Sequence, residues 1–220
     1  MRLNAVVATG KLSHLLDKNA AWASRMHQRD PNFFDRLAHQ QSPQYLWIGC
    51  SDSRVPANQI VDLPPGEIFV HRNVGNLVLP HDLNCLSVLQ FAVDVLRIRH
   101  VIICGHYRCS GVRAALEHEQ HRLVDDWLRP IHDLRERYKA ELNSIGEPES
   151  RAARLCELNV IEQVKNVTRT GTVVDAWTRG HSLSIHGWIY DVADGLLRDL
   201  NVTVTGITND EKLECSEMTK

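Results

Sequence analysis

Two short stretches constrain this sequence more than any other feature. Each is an apolar run that ends in glycine, at positions 45–49 (Tyr-Leu-Trp-Ile-Gly) and 101–105 (Val-Ile-Ile-Cys-Gly). Continuous apolar runs of this length are typical of parallel strands that are covered on both faces. The chain therefore has to build a layered structure around at least these two strands.

Side chains that bind metals follow both runs. Cys50 and Asp52 follow the first run, and His106 and Cys109 follow the second. Zinc prefers thiolate, imidazole and carboxylate ligands, and a catalytic zinc site keeps one position for water. Cys109 also precedes a predicted helix, whose N-terminal N–H groups favour a thiolate. We predict that Cys50, His106 and Cys109 are the ligands of one catalytic zinc ion.

Each of these motifs is a weak signal by itself. A buried histidine near a buried cysteine is the commoner explanation of His-x-x-Cys, and Cys-x-Asp-x-Arg is similarly common. The two motifs become specific because both stand at the ends of predicted strands.

Asp52 and Arg54 have two possible roles. One is a surface ion pair, which would contribute little to stability. The other is a catalytic dyad in which Arg54 holds the Asp52 carboxylate away from the metal, and Asp52 accepts a hydrogen bond from the metal-bound water. In an inactive form, Asp52 could leave Arg54 and become the fourth zinc ligand.

The fold class follows from the alternation of strands and helices. Strands are predicted at 45–49, 67–71, 101–105, 183–190 and 202–207. Such alternation indicates an α/β fold with a mostly parallel sheet, right-handed crossovers and helices on its faces. For Cys50 to reach His106, the first and third strands must be neighbours. The predicted order is therefore 2-1-3-4, with the fifth strand at an edge.

The remaining segments flank this sheet. A helical arm at 1–43, with helices at 11–29 and 31–40, precedes the first strand and could pack on its own domain or on a second subunit. The charge-rich stretch 117–150 predicts a helical insertion, and 209–220 is a polar tail. Together the segments predict one domain over residues 1–220.

Composition excludes several functional classes. The formal net charge is −2, which gives no support to nucleic-acid or anionic-membrane binding. No apolar run approaches the ~20 residues that a membrane span needs, and the N-terminus lacks the pattern of a secretory signal. A cytoplasmic protein without disulfides is expected, although it has six cysteines.

The two motifs together resemble the paired signature of the β-class carbonic anhydrases. They read Cys-Ser-Asp-Ser-Arg at 50–54 and His-Tyr-Arg-Cys at 106–109, and the resemblance runs from about Ala20 to about Thr208. It implies Zn²⁺, the reversible hydration of CO2 to bicarbonate and a proton by zinc-bound hydroxide, and a homodimer that often pairs into a dimer-of-dimers tetramer. The family's sites lie close to the dimer interface.

A branch of the family is also suggested. Trp47, Arg72 and Tyr190 match positions that form a non-catalytic bicarbonate pocket in the bacterial allosteric (type II) branch. This match implies regulation by pH and bicarbonate. The chain departs from the family at Ser110, where glycine is usual, and at 107–108, where small or polar residues are usual.

Two alternatives share the same ligands. One is a zinc hydrolase of a CO2-like substrate such as carbon disulfide, which a panel of substrates would reveal. The other is a bicarbonate sensor without turnover, against which the intact Asp52 and Arg54 argue. A CO2 hydration assay separates a sensor from an enzyme.

Overall fold

The computed structural model describes residues 12–117 and 122–206. These residues form two compact units that divide between Gln41 and Ser42. The predicted polar tail at 209–220 and the start of the predicted arm lie outside the described residues. Within the described part, no helix is long and apolar enough to cross a membrane.

The first unit contains two helices, α1 (Ser13–Arg29) and α2 (Phe33–His39), close to the predicted ranges. The Trp22 and Phe34 rings meet edge to face, with centroids 5.6 Å apart. No residue of either helix is buried within the described chain.

The second unit is built on a five-stranded sheet of order β2-β1-β3-β4-β5. Its strands are β1 (Tyr45–Cys50), β2 (Ile68–Asn73), β3 (His100–His106), β4 (Ser184–Tyr190) and β5 (Leu197–Asp199). The first four strands are parallel, and β5 runs antiparallel to β4. The predicted fold class and strand order are confirmed.

The position of the fifth strand was predicted wrongly. The alternating residues at 202–207 contribute one isolated bridge, between Ile185 and Val204, and the ladder forms earlier along the chain. A tight turn with Gly195 at a φ of +75° brings Leu197 beside Tyr190, so pairing starts there. Asn201, at a φ of +57°, then interrupts the extended chain.

Helices cover the sheet unevenly. They are α3 (Ala57–Ile60), α4 (Leu83–Gln90), α5 (Ser110–Glu117), α6 (Leu123–Arg137), α7 (Lys139–Ser144), α8 (Pro148–Thr168) and α9 (Gly171–Thr178), and a π-helical turn at Phe91–Val95 continues α4. The predicted helical insertion therefore contains α6 and α7, and Ile131 and Leu134 of α6 are buried. The main core lies on one face of the sheet, and a smaller cluster around Trp47, Ile102 and Cys104 lies on the other.

The sheet order places the ends of β1 and β3 side by side. Gly49 of β1 is in register with Cys104 of β3. The chain crosses from β1 to β2 on one side of β1 and then from β2 to β3 on the other side. This reversal of strand order is the kind of switch point where α/β sheets bind ligands. Cys50 and His106 are the last residues of these two strands.

Candidate metal centre

The structure brings together all three predicted metal ligands. Cys50 ends β1, His106 ends β3, and Cys109 immediately precedes α5. Their ligand atoms lie within 4.8 Å of one another, all three residues are buried, and the two sulfur atoms are 3.9 Å apart. This spacing lets one small ion contact all three donors.

The tautomer of His106 suits metal binding. Its Nδ1 lies 2.9 Å from the carbonyl oxygen of Tyr107, so Nδ1 carries the proton and donates it. Nε2 is then left with a lone pair, and this buried atom has no hydrogen-bond partner in the described chain. An unpartnered imidazole nitrogen beside two thiols fits a zinc ion, with the carbonyl orienting the ring from behind.

The surroundings of Cys50 favour its thiolate. The Cys109 thiol, by donating to the Cys50 sulfur, lowers the pKa of Cys50 to about 4, and His106 together with the backbone N–H groups of Gly75 and Asp52 contributes to this. The neighbouring Cys50 thiolate in turn raises the pKa of Cys109. A bound cation would favour the thiolate form of both cysteines, because metals bind the deprotonated thiol.

Asp52 and Arg54 form a tight ion pair beside the three donors. Arg54 donates from Nε to Asp52 Oδ1 at 2.9 Å and from Nη2 to Oδ2 at 2.6 Å, and its backbone N–H also donates to Oδ1. The Arg54 guanidinium lowers the pKa of Asp52 to about 2. Asp52 Oδ2 lies 3.7 Å from His106 Nε2. The carboxylate is therefore ionised, close to the donors, and held by the arginine.

The three predicted effector residues have different surroundings. Trp47 and Tyr190 belong to the small cluster on the second face of the sheet. Trp47 is fully buried, and its Nε1 has no hydrogen-bond partner in the described chain. Arg72 donates from Nε to the carbonyl oxygen of Cys50 at 2.8 Å and from Nη2 to that of Asp52 at 2.5 Å. Arg72 thus holds the main chain of the predicted metal-binding loop.

Two contacts that support the site have no signal in the sequence. The Arg108 carbonyl accepts a hydrogen bond from Arg54 Nη2 at 3.1 Å, and the Tyr107 hydroxyl donates to Glu157 at 2.7 Å. Both contacts join segments that are distant in the sequence, so no local pattern could reveal them. For residues 107–108 themselves, the one sequence signal was their departure from the family pattern.

A second group of possible metal donors lies at the start of α4. Ligand atoms of His71, Asp82 and Cys85 also lie within 4.8 Å of one another. Asp82 caps the helix by accepting the Asn84 N–H at 3.1 Å, and His71 Nε2 faces the Asn73 amide at 3.3 Å. Burial raises the pKa of Cys85 to about 12. We interpret this group as structural.

The chain is similar to carbonic anhydrases along most of its length. Residues 45–197 match the carbonic anhydrase family. A carbonic anhydrase of Emericella nidulans is 44% identical over 196 residues, covering 89% of this chain and 86% of that protein.

Solved structures agree with this match. The Coccomyxa β-carbonic anhydrase in complex with acetazolamide is 38% identical, with a TM-score of 0.88, and the match covers 96% of this chain and 99% of that one. A tetrameric β-carbonic anhydrase from Sordaria macrospora is 36% identical, with a TM-score of 0.83, and the match covers 88% of this chain and 98% of that one. The chain belongs to the β-class carbonic anhydrase family.

Proposed function

We propose that this enzyme catalyses the reversible hydration of CO2 to bicarbonate and a proton, with zinc held by Cys50, His106 and Cys109. One observation carries the proposal. The unpartnered Nε2 of His106 and two adjoining sulfur atoms form a buried three-donor group beside an ionised carboxylate. Bound zinc would supply a Lewis acid that makes water nucleophilic near neutral pH.

The dyad would select the productive arrangement of the reacting water. Asp52, held on two oxygens by Arg54, stays ionised and can only accept hydrogen bonds. It would therefore orient one O–H of the water and leave an oxygen lone pair directed at CO2. Arg54 also keeps the carboxylate from occupying the fourth position of the donor group.

We further propose that bicarbonate regulates the enzyme through Trp47, Arg72 and Tyr190, as in the type II branch. The fungal relatives do not distinguish the branch, so the support comes from the pocket residues. Within the described residues the buried indole N–H of Trp47 has no hydrogen-bond partner, and Tyr190 offers a hydroxyl. Arg72 would link the predicted pocket to the metal-binding loop, because its guanidinium donates to the carbonyls of Cys50 and Asp52.

The hydrogen bonds from Arg72 to the metal-binding loop predict a two-state switch. A bicarbonate ion that recruits Arg72 would withdraw donors from both carbonyls and loosen the loop at 50–54. Asp52 could then leave Arg54 and bind the metal, which displaces the water. Bicarbonate can shift this equilibrium only through its different affinities for the two states.

A homodimer that pairs into a tetramer is proposed for the assembly. The tetrameric enzyme from Sordaria macrospora supports it, because the match covers 98% of that chain. The cytoplasm is the proposed location.

A stopped-flow CO2 hydration assay across pH, with metal analysis of the same sample, tests the function. We expect one zinc per chain and activity that falls steeply as pH decreases, with a deeper loss when bicarbonate is added. A zinc-loaded protein that does not hydrate CO2 at any pH would refute the activity. Carbon disulfide in a parallel assay tests the related hydrolase.

A further inference from the structure

Arg108 has a backbone conformation that suits glycine. Its φ is +59°, in the left-handed region, which is uncommon for residues with a long side chain. Such conformations persist when their surroundings hold them, and they concentrate at functional sites. Arg108 lies between two predicted metal ligands, His106 and Cys109, so its conformation shapes the metal-binding loop.

Both ends of Arg108 are tied to other segments. Its carbonyl accepts a hydrogen bond from Arg54 Nη2 at 3.1 Å, and its own Nη1 donates to Asp191 Oδ1 at 2.9 Å. Asp191 is itself held in a turn, where Oδ1 accepts the Ala193 N–H at 2.9 Å. The adjacent Tyr190 carbonyl accepts the Tyr107 N–H at 3.0 Å. The end of β4 therefore holds the loop by its backbone and by the Arg108 side chain.

These contacts connect the end of β4 to the pair formed by Asp52 and Arg54. Asp191 holds the side chain of Arg108, the left-handed backbone of Arg108 places its carbonyl, and that carbonyl is the third acceptor of Arg54 besides the two oxygens of Asp52. Glycine would adopt this φ at lower cost, but it could not make the ion pair. The long side chain thus gives the loop a connection that glycine would lack.

We propose that Arg108 is a positioning residue for CO2 hydration, because its ion pair with Asp191 fixes the carbonyl that holds Arg54 against Asp52. The inference rests on the proposed function. It extends that function to a residue outside the three donors and the dyad. A small displacement of this carbonyl would free Arg54 to rotate, and the carboxylate would lose its fixed orientation.

Arg108→Gly is the decisive variant, because glycine accommodates the left-handed backbone without strain and removes the side chain that makes the ion pair. We expect kcat/KM to fall roughly tenfold, since a displacement of about 1 Å at a catalytic group can cost about 10²-fold and this displacement should be smaller. Zinc content should not change, and the melting temperature should stay the same or rise as backbone strain is relieved.

Arg97→Gly is the matched control. Arg97 also has a left-handed backbone, with a φ of +56°, but it lies before β3 and away from the metal-binding loop. The control should show the same change in melting temperature without a loss of activity. Arg108→Lys, which keeps a positive charge for Asp191, should recover part of the activity lost in Arg108→Gly.

A double-mutant cycle with Asp191→Asn tests the ion pair itself. Asparagine can still accept the Ala193 N–H, so the turn should remain while the charge pairing is lost. Adding Arg108→Gly to Asp191→Asn should cost less activity than Arg108→Gly costs alone. Additive losses would mean that the two residues act independently, which contradicts the proposal.

A second readout separates positioning from general stability. With Arg54 held less firmly, the pH of half-maximal activity should rise in Arg108→Gly. A crystal structure of the zinc-loaded variant should show the Arg54 contact with the residue 108 carbonyl lengthened or lost. Wild-type kcat/KM and pH profile would overturn the inference, and so would an activity loss that parallels a loss of zinc or melting temperature. An inactive wild type would instead refute the proposed function.

Discussion

Nε of Arg72 lies 2.8 Å from the carbonyl oxygen of Cys50, so an arginine of β2 holds the main chain of a predicted metal ligand in β1. Its Nη2 donates to the carbonyl oxygen of Asp52, two residues further along the chain. A predicted effector residue and the predicted metal-binding loop are therefore in direct contact. A ligand that draws the Arg72 guanidinium away from these carbonyls would therefore change the loop directly, with no intermediate residues.

Arg72→Ala should therefore change regulation and metal affinity together. Bicarbonate inhibition should weaken because the anion loses its guanidinium, and zinc affinity should fall by roughly tenfold because an outer support of Cys50 is lost. Zinc should remain bound when it is in excess. Inhibition curves and competition with a chelator measure the two effects.

Trp47→Phe separates regulation from metal binding. It removes the indole N–H but keeps an aromatic ring in the buried cluster, so bicarbonate inhibition should weaken while zinc affinity stays at the wild-type value. If both variants respond to pH and bicarbonate as the wild type does, the pocket is not regulatory.

Single substitutions of the three donors should abolish zinc binding and activity. Cys50→Ser, His106→Ala and Cys109→Ser each leave two of the three buried donors. Metal analysis after dialysis checks this, and Cys85→Ala provides a buried-cysteine control that should keep its zinc. Full zinc occupancy with normal turnover in any of the three variants would remove that residue from the ligand set.

Asp52→Asn should keep zinc and lose most of its activity. Three donors remain, but the amide carries no charge and no longer accepts through two equivalent oxygens. We expect turnover to fall by roughly 10²-fold, the lower range for loss of a general acid–base group. Turnover at the wild-type rate, measured at equal zinc content, would make Asp52 only a structural partner of Arg54.

Gly105→Ala should destabilise the fold, because a Cβ at Gly105 would lie 2.6 Å from Cγ2 of Val160 in α8. We expect a loss of about 1–3 kcal/mol in the free energy of unfolding, which is typical of overpacking. Adding Val160→Ala should recover part of it. Gly146→Ala is the control, since a Cβ there meets no atom within 4 Å. Urea unfolding of Gly105→Ala, Val160→Ala, the double variant and the wild type measures the coupling. Equal stability of Gly105→Ala and wild type would contradict the close packing of α8.

His186 should make stability depend on pH. Burial lowers the pKa of His186, and His100, which lies 3.1 Å away, lowers it further, although Asp199 opposes the shift. Its other ring nitrogen faces Thr203 at 3.1 Å. Because the folded-state pKa lies below the unfolded value of about 6.5, the unfolded chain takes up the proton first as pH falls. The stabilisation that comes from keeping His186 neutral in the folded state is therefore fully present above about pH 6.5. The free energy of unfolding then decreases as pH falls from there toward the folded-state pKa.

His186→Gln removes this titration. The free energy of unfolding should decrease less between pH 7 and pH 5 in the variant than in the wild type, as measured by urea unfolding at several pH values. His27→Gln, at an exposed position of α1, should leave the slope unchanged. Identical slopes for His186→Gln and wild type would show that His186 titrates alike in both states.

The sequence by itself determined the architecture around the metal donors. The apolar runs before Cys50 and His106 predict buried parallel strands, and the need to bring their ends together predicts the observed order of the first four strands. These features are local: strand type depends on the side chains within one run, and the ligands directly follow it. The same local reasoning failed for the fifth strand, where the turn at Gly195 and the left-handed Asn201 outweigh the alternating pattern at 202–207.

Only the tertiary structure decided how the site is held. The Arg72 bond to Cys50 joins residues 22 positions apart, and the Arg108 pair with Asp191 joins residues 83 positions apart. The family resemblance predicts Arg72 as a bicarbonate donor, but its contact with the metal-binding loop depends on the register between β1 and β2. Arg108 gave no signal beyond its departure from the family pattern. Its role depends on a backbone angle and on a carboxylate at the end of β4, and chain folding alone brings these together.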